Sequence, residues 1–421
     1  MAADEKPEVI HNYWISLLCV LFGLGTWLPV NAVYSQLPVF VQFAPEGWNL
    51  PSYISLLVQC ANIAPLLWYF FHKKFIRSQS ILICSFLSLG TISLFCLAFT
   101  YRIQHFILGA MHSVYFFLFT FCISLVGCVS SVLFLPFMNK LPELYLVPYF
   151  IGEGLSGLIP SVIALVQGVG REPKCVNITT SEGVVPQKIT EEPYFSSTLF
   201  LVIIGCFMLL STLSFFYLNY ISDFIRPSAN NSESSKRQRN NSVTSIIPIN
   251  LTKTLFAVLL LAQTLINCFS NGILPSIQSY SCLPYGREAY HWSVNLNQIV
   301  NPVIIYLAFF LPIISLRVLA ACGAVQIMCL TYELLTAFQS PVPPFVGSTA
   351  GVMLIVFTWM LGSALISYMK LSIAAIFRRK HQKGLINYGL VTQVGSAAGA
   401  VISFILINYL KLFQAVPEQK C

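Results

Sequence analysis

Eleven runs of predominantly apolar residues, at approximately 14–41, 50–71, 79–100, 106–135, 146–167, 195–220, 251–275, 289–311, 313–336, 346–370 and 385–410, constrain this chain more than any other feature. A run of about 20 apolar residues is what a helix needs to cross a bilayer. With 56% hydrophobic and only 9% charged residues, the chain carries more apolar surface than a soluble core could absorb. The expected fold class is therefore an all-α integral membrane protein of about eleven transmembrane helices. The opening Met-Ala-Ala-Asp-Glu-Lys-Pro-Glu lacks the basic region and cleavage site of a signal peptide, which predicts a retained N-terminus and a first helix acting as signal anchor.

Two polar segments interrupt the series. Residues 168–194 carry the sequon Asn177-Ile-Thr179, and residues 221–250 are rich in Ser, Asn and basic side chains, including Lys236, Arg237 and Arg239. The second reads as a flexible cytoplasmic linker that divides an N-terminal six-helix bundle, residues 1–220, from a C-terminal five-helix bundle, residues 251–421. Two bundles around a central cleft resemble the architecture of major-facilitator and equilibrative nucleoside transporters. Lys73, Lys74, Arg77, Lys140, Arg317 and the Arg378–Lys383 cluster fall on the linker side, while the opposite side is poorer in Lys and Arg. The positive-inside rule then places the N-terminus in the cytoplasm and the C-terminus outside. Asn177 falls outside, where glycosylation occurs. Cys175 and Cys282 also fall in outer loops of that topology, which allows a disulfide between them.

Enzymatic chemistry finds no support. The six His residues are dispersed, and neither nucleophile–base, zinc-ligand nor P-loop spacings occur. The thirteen Cys show no CxxC pair, so neither a metal nor a cofactor is expected. The glycine clusters Gly152–Gly157 and Gly395–Gly399 lie in apolar runs, where small residues allow close helix packing. The net charge of +8 follows the membrane asymmetry and does not point to nucleic acid.

What remains informative is the polar content of the apolar runs. In the first run Trp27, Asn31 and Tyr34 are spaced i, i+4, i+7 and share one helix face, with Gln36 following and Pro29 and Pro38 interrupting the helix. In the seventh, Asn271-Gly-Ile-Leu-Pro275 predicts a helix that breaks near its outer end, gathering Gln278, Tyr280, Tyr285 and Trp292 at the mouth of the cleft. Asn301 lies in the eighth run. Amides beside aromatic rings suit a neutral, planar molecule with donors and acceptors. Mid-membrane charge is nearly confined to Glu153, a candidate for proton coupling. For each of these residues helix packing is the competing role.

The chain resembles the eukaryotic riboflavin transporter family of solute carriers across nearly all eleven runs. The resemblance is carried by Leu21-Phe-Gly-Leu-Gly-Thr-Trp27 with Leu37-Pro38, Pro45-Glu-Gly-Trp-Asn-Leu-Pro-Ser-Tyr53, Phe134-Leu-Pro-Phe137, Ala164–Arg171, Asn271–Pro275, Ser281-Cys-Leu-Pro-Tyr-Gly-Arg287 and Gly347-Ser-Thr-Ala-Gly351. It implies uptake of riboflavin across the plasma membrane without ATP hydrolysis. Two departures stand out: Gln36 occupies a position where the family pattern has a glutamate, and Glu153 stands where it has a glutamine. Riboflavin's uncharged ring could stack on Trp27, Tyr34 and Trp292, with Asn31, Gln36, Asn271, Gln278 and Asn301 serving its pyrimidine edge or ribityl chain. A facilitator of another neutral heteroaromatic solute, such as a nucleoside, and a receptor that moves nothing are the rival readings.

Overall fold

A computed structural model describes residues 12–65, 67–68, 79–107, 109–138, 140–169, 174–180, 183–189, 193–222, 252–310, 315–378 and 382–417. Most of the 221–250 linker lies outside the described residues, as do the side chains of Cys175 and Asn177. The first apolar run is three short helices, α1 (Tyr13–Leu24), α2 (Leu28–Ser35) and α3 (Leu37–Phe43). The α1 and α2 axes meet at 52°. Pro29 and Pro38 occupy the first turns of α2 and α3, where a missing N–H leaves no helical bond unmade, so the prolines begin segments instead of kinking one. Thr26 Oγ donates to the Gly23 carbonyl at 2.9 Å, satisfying a carbonyl freed at the end of α1.

The chain continues through α4 (Leu50–Ala61), α5 (Gln79–Thr100), α6 (Val114–Met138), α7 (Leu146–Gln167) and α8 (Ser197–Ile221). A span beginning near residue 106 is not what forms. Residues 105–112 are an antiparallel hairpin, β1 (His105–Ile107) with β2 (Ala110–His112), turned at Gly109 with φ +88°. The apolar run misled here because Gly109 favours a left-handed turn that a helix cannot hold. A second hairpin, β3 (Lys174–Thr180) with β4 (Gly183–Ile189), follows α7 and contains the backbone of Asn177.

The second group comprises α9 (Lys253–Cys268), α10 (Leu274–Cys282), α11 (Arg287–Phe310), α12 (Leu316–Phe338), α13 (Thr349–Arg378) and α14 (Gln382–Phe404). The break expected near Pro275 is instead a five-residue π-turn, Phe269–Ile273, so that helix runs on through Tyr285. A wide turn accommodates the N–H that Pro275 lacks without ending the helix. Gln278 and Tyr280 consequently lie on α10 and not in a loop at the mouth. Cys282 is likewise no loop residue: it is a fully buried, free thiol at the end of α10.

Eight described helices are long and apolar enough to cross a membrane, or nine if α1 and α2 form one span, so the count of eleven is not reached on that measure. The other two expected runs are α4, only 12 residues long, and α11, which carries Asn295, Asn297, Gln298 and Asn301. In the first group α1 packs on α7 and α8, and α5 on α6 and α8. In the second α9 packs on α14, and α13 on α11 and α12. Phe22 sits among the rings of Phe134, Phe137, Tyr149 and Phe215, with centroids 4.7–5.8 Å away. The glycine clusters do pack helices. A Cβ at Gly152 would strike the Val20 carbonyl of α1, and Cβ atoms at Gly395 and Gly399 would strike the Thr264 and Cys268 carbonyls of α9.

Candidate substrate site between the helix groups

Trp27, Asn31 and Tyr34 are half-buried, whereas every α2 residue between them, and Ser35 after them, is buried. The periodicity thus becomes a real stripe: one face of α2 remains accessible while the rest is packed. The Trp27 indole lies on Gly127 of α6, where a Cβ would come within 2.8 Å of the ring. Asn31 Nδ2 donates to the Ser156 carbonyl of α7 at 3.2 Å.

Gln36 is elsewhere. It is fully buried, its Nε2 donates to Gln167 Oε1 at 2.5 Å, and its Oε1 accepts from Ser197 Oγ at 2.7 Å. Gln167 Nε2 in turn donates to the Phe195 carbonyl at 2.8 Å. The α2–α3 junction is tied in this way to the end of α7 and the start of α8, and no face of Gln36 is left for a ligand.

Gln298 of α11, not expected among the site residues, joins the two groups. Its Nε2 donates to the Asn31 carbonyl at 3.3 Å, and its Oε1 accepts from Ser161 Oγ at 2.9 Å and Ser35 Oγ at 3.3 Å. Further along the same helix Tyr306 OH donates to the Phe150 and Ile151 carbonyls, at 3.0 and 2.9 Å, and lies against Gly154. The α7–α11 seam is therefore bonded over most of its length. Glu153 lies beside this seam, half-buried and without an ion pair among the described residues.

At the hairpin face the groups also meet elsewhere. Tyr280 OH donates to Asn49 Oδ1 at 2.5 Å, and Asn408 Nδ2 donates to Ser52 Oγ at 2.9 Å. Trp48 packs edge-on to Tyr290 at 5.3 Å, and Tyr53 to Phe404 at 5.1 Å. Along α4, Ile54, Ser55 and Ala61 are buried, Gln59 is half-buried and Cys60 is exposed.

Asn271 sits in the π-turn, exposed although Gly272, Ile273 and Leu274 after it are buried. Its Nδ2 donates to Ser396 Oγ of α14 at 2.9 Å and Asn267 Oδ1 at 3.2 Å, its carbonyl accepts from Ser55 Oγ of α4 at 3.3 Å, and its Oδ1 accepts from Lys370 Nζ of α13 at 3.2 Å. Asn301 is exposed and accepts from Ser367 Oγ at 2.8 Å. Gln278 is nearly buried and donates to Asn297 at 3.1 Å, with the Asn297 amide turned to satisfy both its ends. Trp292 does not join them. It is 47% exposed and shares a stripe at i, i+4, i+7, i+11 with Leu296, Ile299 and Val303, an apolar face suited to lipid with a Trp at its end. A cavity of about 450 Å³ between α5 and α8, lined by Ile81, Cys84 and Phe216 among others, shares no residue with the expected site.

The family model described as solute carrier family 52, riboflavin transporter, matches residues 11–415. The chain belongs to this family. Among its members, riboflavin transporter member 3 of Bos taurus is 34% identical over 458 aligned residues, covering 96% of this chain and 97% of the relative. Member 3 of Homo sapiens is 33% identical, with 96% and 97% covered. Solved structures similar in fold include a proton-dependent oligopeptide transporter, with a TM-score of 0.59, 13% identity and 94% and 92% of the two chains covered. The nucleoside transporter NupG follows, with a TM-score of 0.52, 14% identity and 93% and 89% covered. This riboflavin transporter family member thus shares its fold with these transporters.

Proposed function

We propose that this protein takes up riboflavin across the plasma membrane by alternating access, without ATP hydrolysis and without catalysing a reaction. Family membership supports the substrate, and the observation that carries the site is the accessible Trp27–Asn31–Tyr34 stripe at the interface of two helix groups. Trp27 and Tyr34 offer faces to the flat, uncharged ring; Asn31, Asn271 and Asn301 offer amides to its pyrimidine edge and ribityl hydroxyls. Gln36 and Gln278 act behind these, holding helices. The halves 1–220 and 251–421 move against each other, joined by the cytoplasmic 221–250 linker. The hairpin face is outside, which exposes Asn177 to glycosylation, and Glu153, unpaired beside the α7–α11 seam, takes up a proton as the halves move.

Labelled riboflavin uptake into cells expressing the chain, at acidic and neutral pH and with excess unlabelled riboflavin, tests the reading. Saturable uptake abolished by the cold vitamin is expected, with the pH dependence lost in Glu153→Gln. Uptake blocked equally well by a nucleoside would favour a broader facilitator, and none above vector cells despite surface expression would refute transport of riboflavin. Glycosidase treatment of the Asn177→Gln variant, compared with wild type, checks the orientation.

A further inference from the structure

Lys370 is a cation inside a membrane-spanning helix, and among the described residues no anion pairs with it. It lies on α13 eight residues before Arg378, which places its Cα about 12 Å from that helix end. A lysine at that depth ordinarily extends its stem toward water. Lys370 points the other way. Its Nζ donates to Asn271 Oδ1 in the π-turn, consistent with the tilt of helical side chains toward the helix N-terminus.

Asn271 is itself fixed. Both Nδ2 hydrogens are taken, by Ser396 Oγ and Asn267 Oδ1, so only its Oδ1 can face the ammonium. Asn271 is bonded to α13 and α14 through its side chain and to Ser55 of α4 through its carbonyl, which places it where the two helix groups meet. An ammonium has three N–H donors. One is used on Asn271, and among the described residues no carboxylate pairs with Lys370. Two charge-strengthened donors are therefore left where the helix groups meet, held by an amide that Ser396, Asn267 and Ser270 hold in turn. A π-turn at this point fits the tendency of such turns to mark functional positions.

We propose that Lys370, positioned by Asn271, is a substrate-contacting donor in the second helix group that takes an acceptor edge, a ring carbonyl and its adjacent ring nitrogen, of a neutral heteroaromatic substrate. The inference rests on the riboflavin reading and adds a specificity-determining residue to it. Stacking on Trp27 and Tyr34 accepts any flat ring, whereas a fixed ammonium accepts only rings with electron-rich atoms on the edge presented to it.

The test is uptake by wild type, Lys370→Met and Lys370→Arg at matched surface expression. Riboflavin, 1-deazariboflavin and 5-deazariboflavin serve as substrates, and melting of the purified proteins is measured with and without riboflavin. Lys370→Met should raise KM for riboflavin tenfold or more and lose most of the riboflavin-induced rise in Tm, while its ligand-free Tm stays near that of wild type. For one deaza analogue the wild-type advantage over Lys370→Met should shrink toward unity, because the contacted ring nitrogen is gone. Lys370→Arg should fall between the two, which keeps the test informative if the Met variant fails to reach the surface. Wild-type riboflavin uptake with an unchanged KM in Lys370→Met overturns this inference alone, and no riboflavin uptake by wild type overturns both readings. Inhibition by FMN stronger than by riboflavin, and lost in Lys370→Met, would reassign the ammonium to a phosphate and overturn the ring-edge contact.

Discussion

Replacing Gln36 by Leu separates two roles that a membrane-embedded amide can have. In the structure Gln36 is fully buried and makes two interhelical hydrogen bonds, to Gln167 and from Ser197. Interhelical side-chain bonds in membranes average about 0.6 kcal/mol and reach about 1.7 kcal/mol, so losing two costs roughly 1–3 kcal/mol. The upper end is favoured because Gln167 Oε1 and Ser197 Oγ would remain buried without partners. Detergent-solubilised Gln36→Leu should melt several degrees below wild type, while its KM for riboflavin, at matched surface level, should be nearly unchanged. Gln36→Glu extends the test. A protonated carboxyl can still donate to Gln167 and accept from Ser197, whereas the ionised form sets a carboxylate against the Gln167 oxygen. That variant should be near wild type in acid and weakened at neutral pH. A Gln36→Leu protein as stable as wild type but with KM raised tenfold would refute the structural assignment and return Gln36 to the ligand.

Trp27→Ala should raise KM roughly tenfold, in keeping with the ~0.5–1.5 kcal/mol that a ring pair adds beyond area burial, and Gly127→Val should do the same by displacing the indole; uptake kinetics check both. Gly152→Ala should reduce surface expression sharply because its Cβ meets the Val20 carbonyl, whereas Gly323→Ala, with open space around it, should express normally. Glu46→Ala should cost roughly 1.5–3 kcal/mol. The Glu46 carboxylate accepts from Ser113 N at 3.1 Å and Ser113 Oγ at 2.9 Å just before α6 and lies 3.3 Å from His112 Nδ1, and the lowered Tm of the purified protein measures the loss.

The parts legible in the sequence were those set by periodicity. The i, i+4, i+7 spacing of Trp27, Asn31 and Tyr34 reappears as an accessible stripe, and the glycine clusters reappear as close helix contacts, because both depend only on helix geometry and residue size. What escaped depends on partners distant in sequence. Gln36 is separated from Gln167 by 131 residues, and one sequence cannot tell an amide that ties helices from one that binds a ligand. Pro275 signals a disturbed helix but not whether it breaks or widens, and the close contact of Gly272 with Gly399 beside the turn is between residues far apart in sequence. The hairpin at 105–112 hid within an apolar run. Trp292 is different: its spacing with Leu296, Ile299 and Val303 is that of an apolar helix stripe, which is legible in the sequence. Lys370 ends the tenth apolar run, and the bond of its ammonium to Asn271 is between residues 99 apart, which spacing does not give.

The contacts that close the hairpin face also fix an energy scale. Beyond the α7–α11 seam, closure there includes two aromatic pairs, Trp48–Tyr290 and Tyr53–Phe404, and two hydrogen bonds, Tyr280–Asn49 and Asn408–Ser52. At about 0.5–1.5 kcal/mol per ring pair and 0.6–1.7 kcal/mol per bond, these hold roughly 2–6 kcal/mol between them. If these contacts alone had to break, the opposite state would be populated at roughly one molecule in thirty to one in tens of thousands, and the Gln298 and Tyr306 bonds of the seam make it rarer still. A micromolar ligand releases about 8 kcal/mol on binding, so one that prefers the rarer state by even half of that can tip the balance. On the proposed reading, a face latched this lightly is within reach of thermal motion, and the proton taken up at Glu153 need only bias the exchange between the two states.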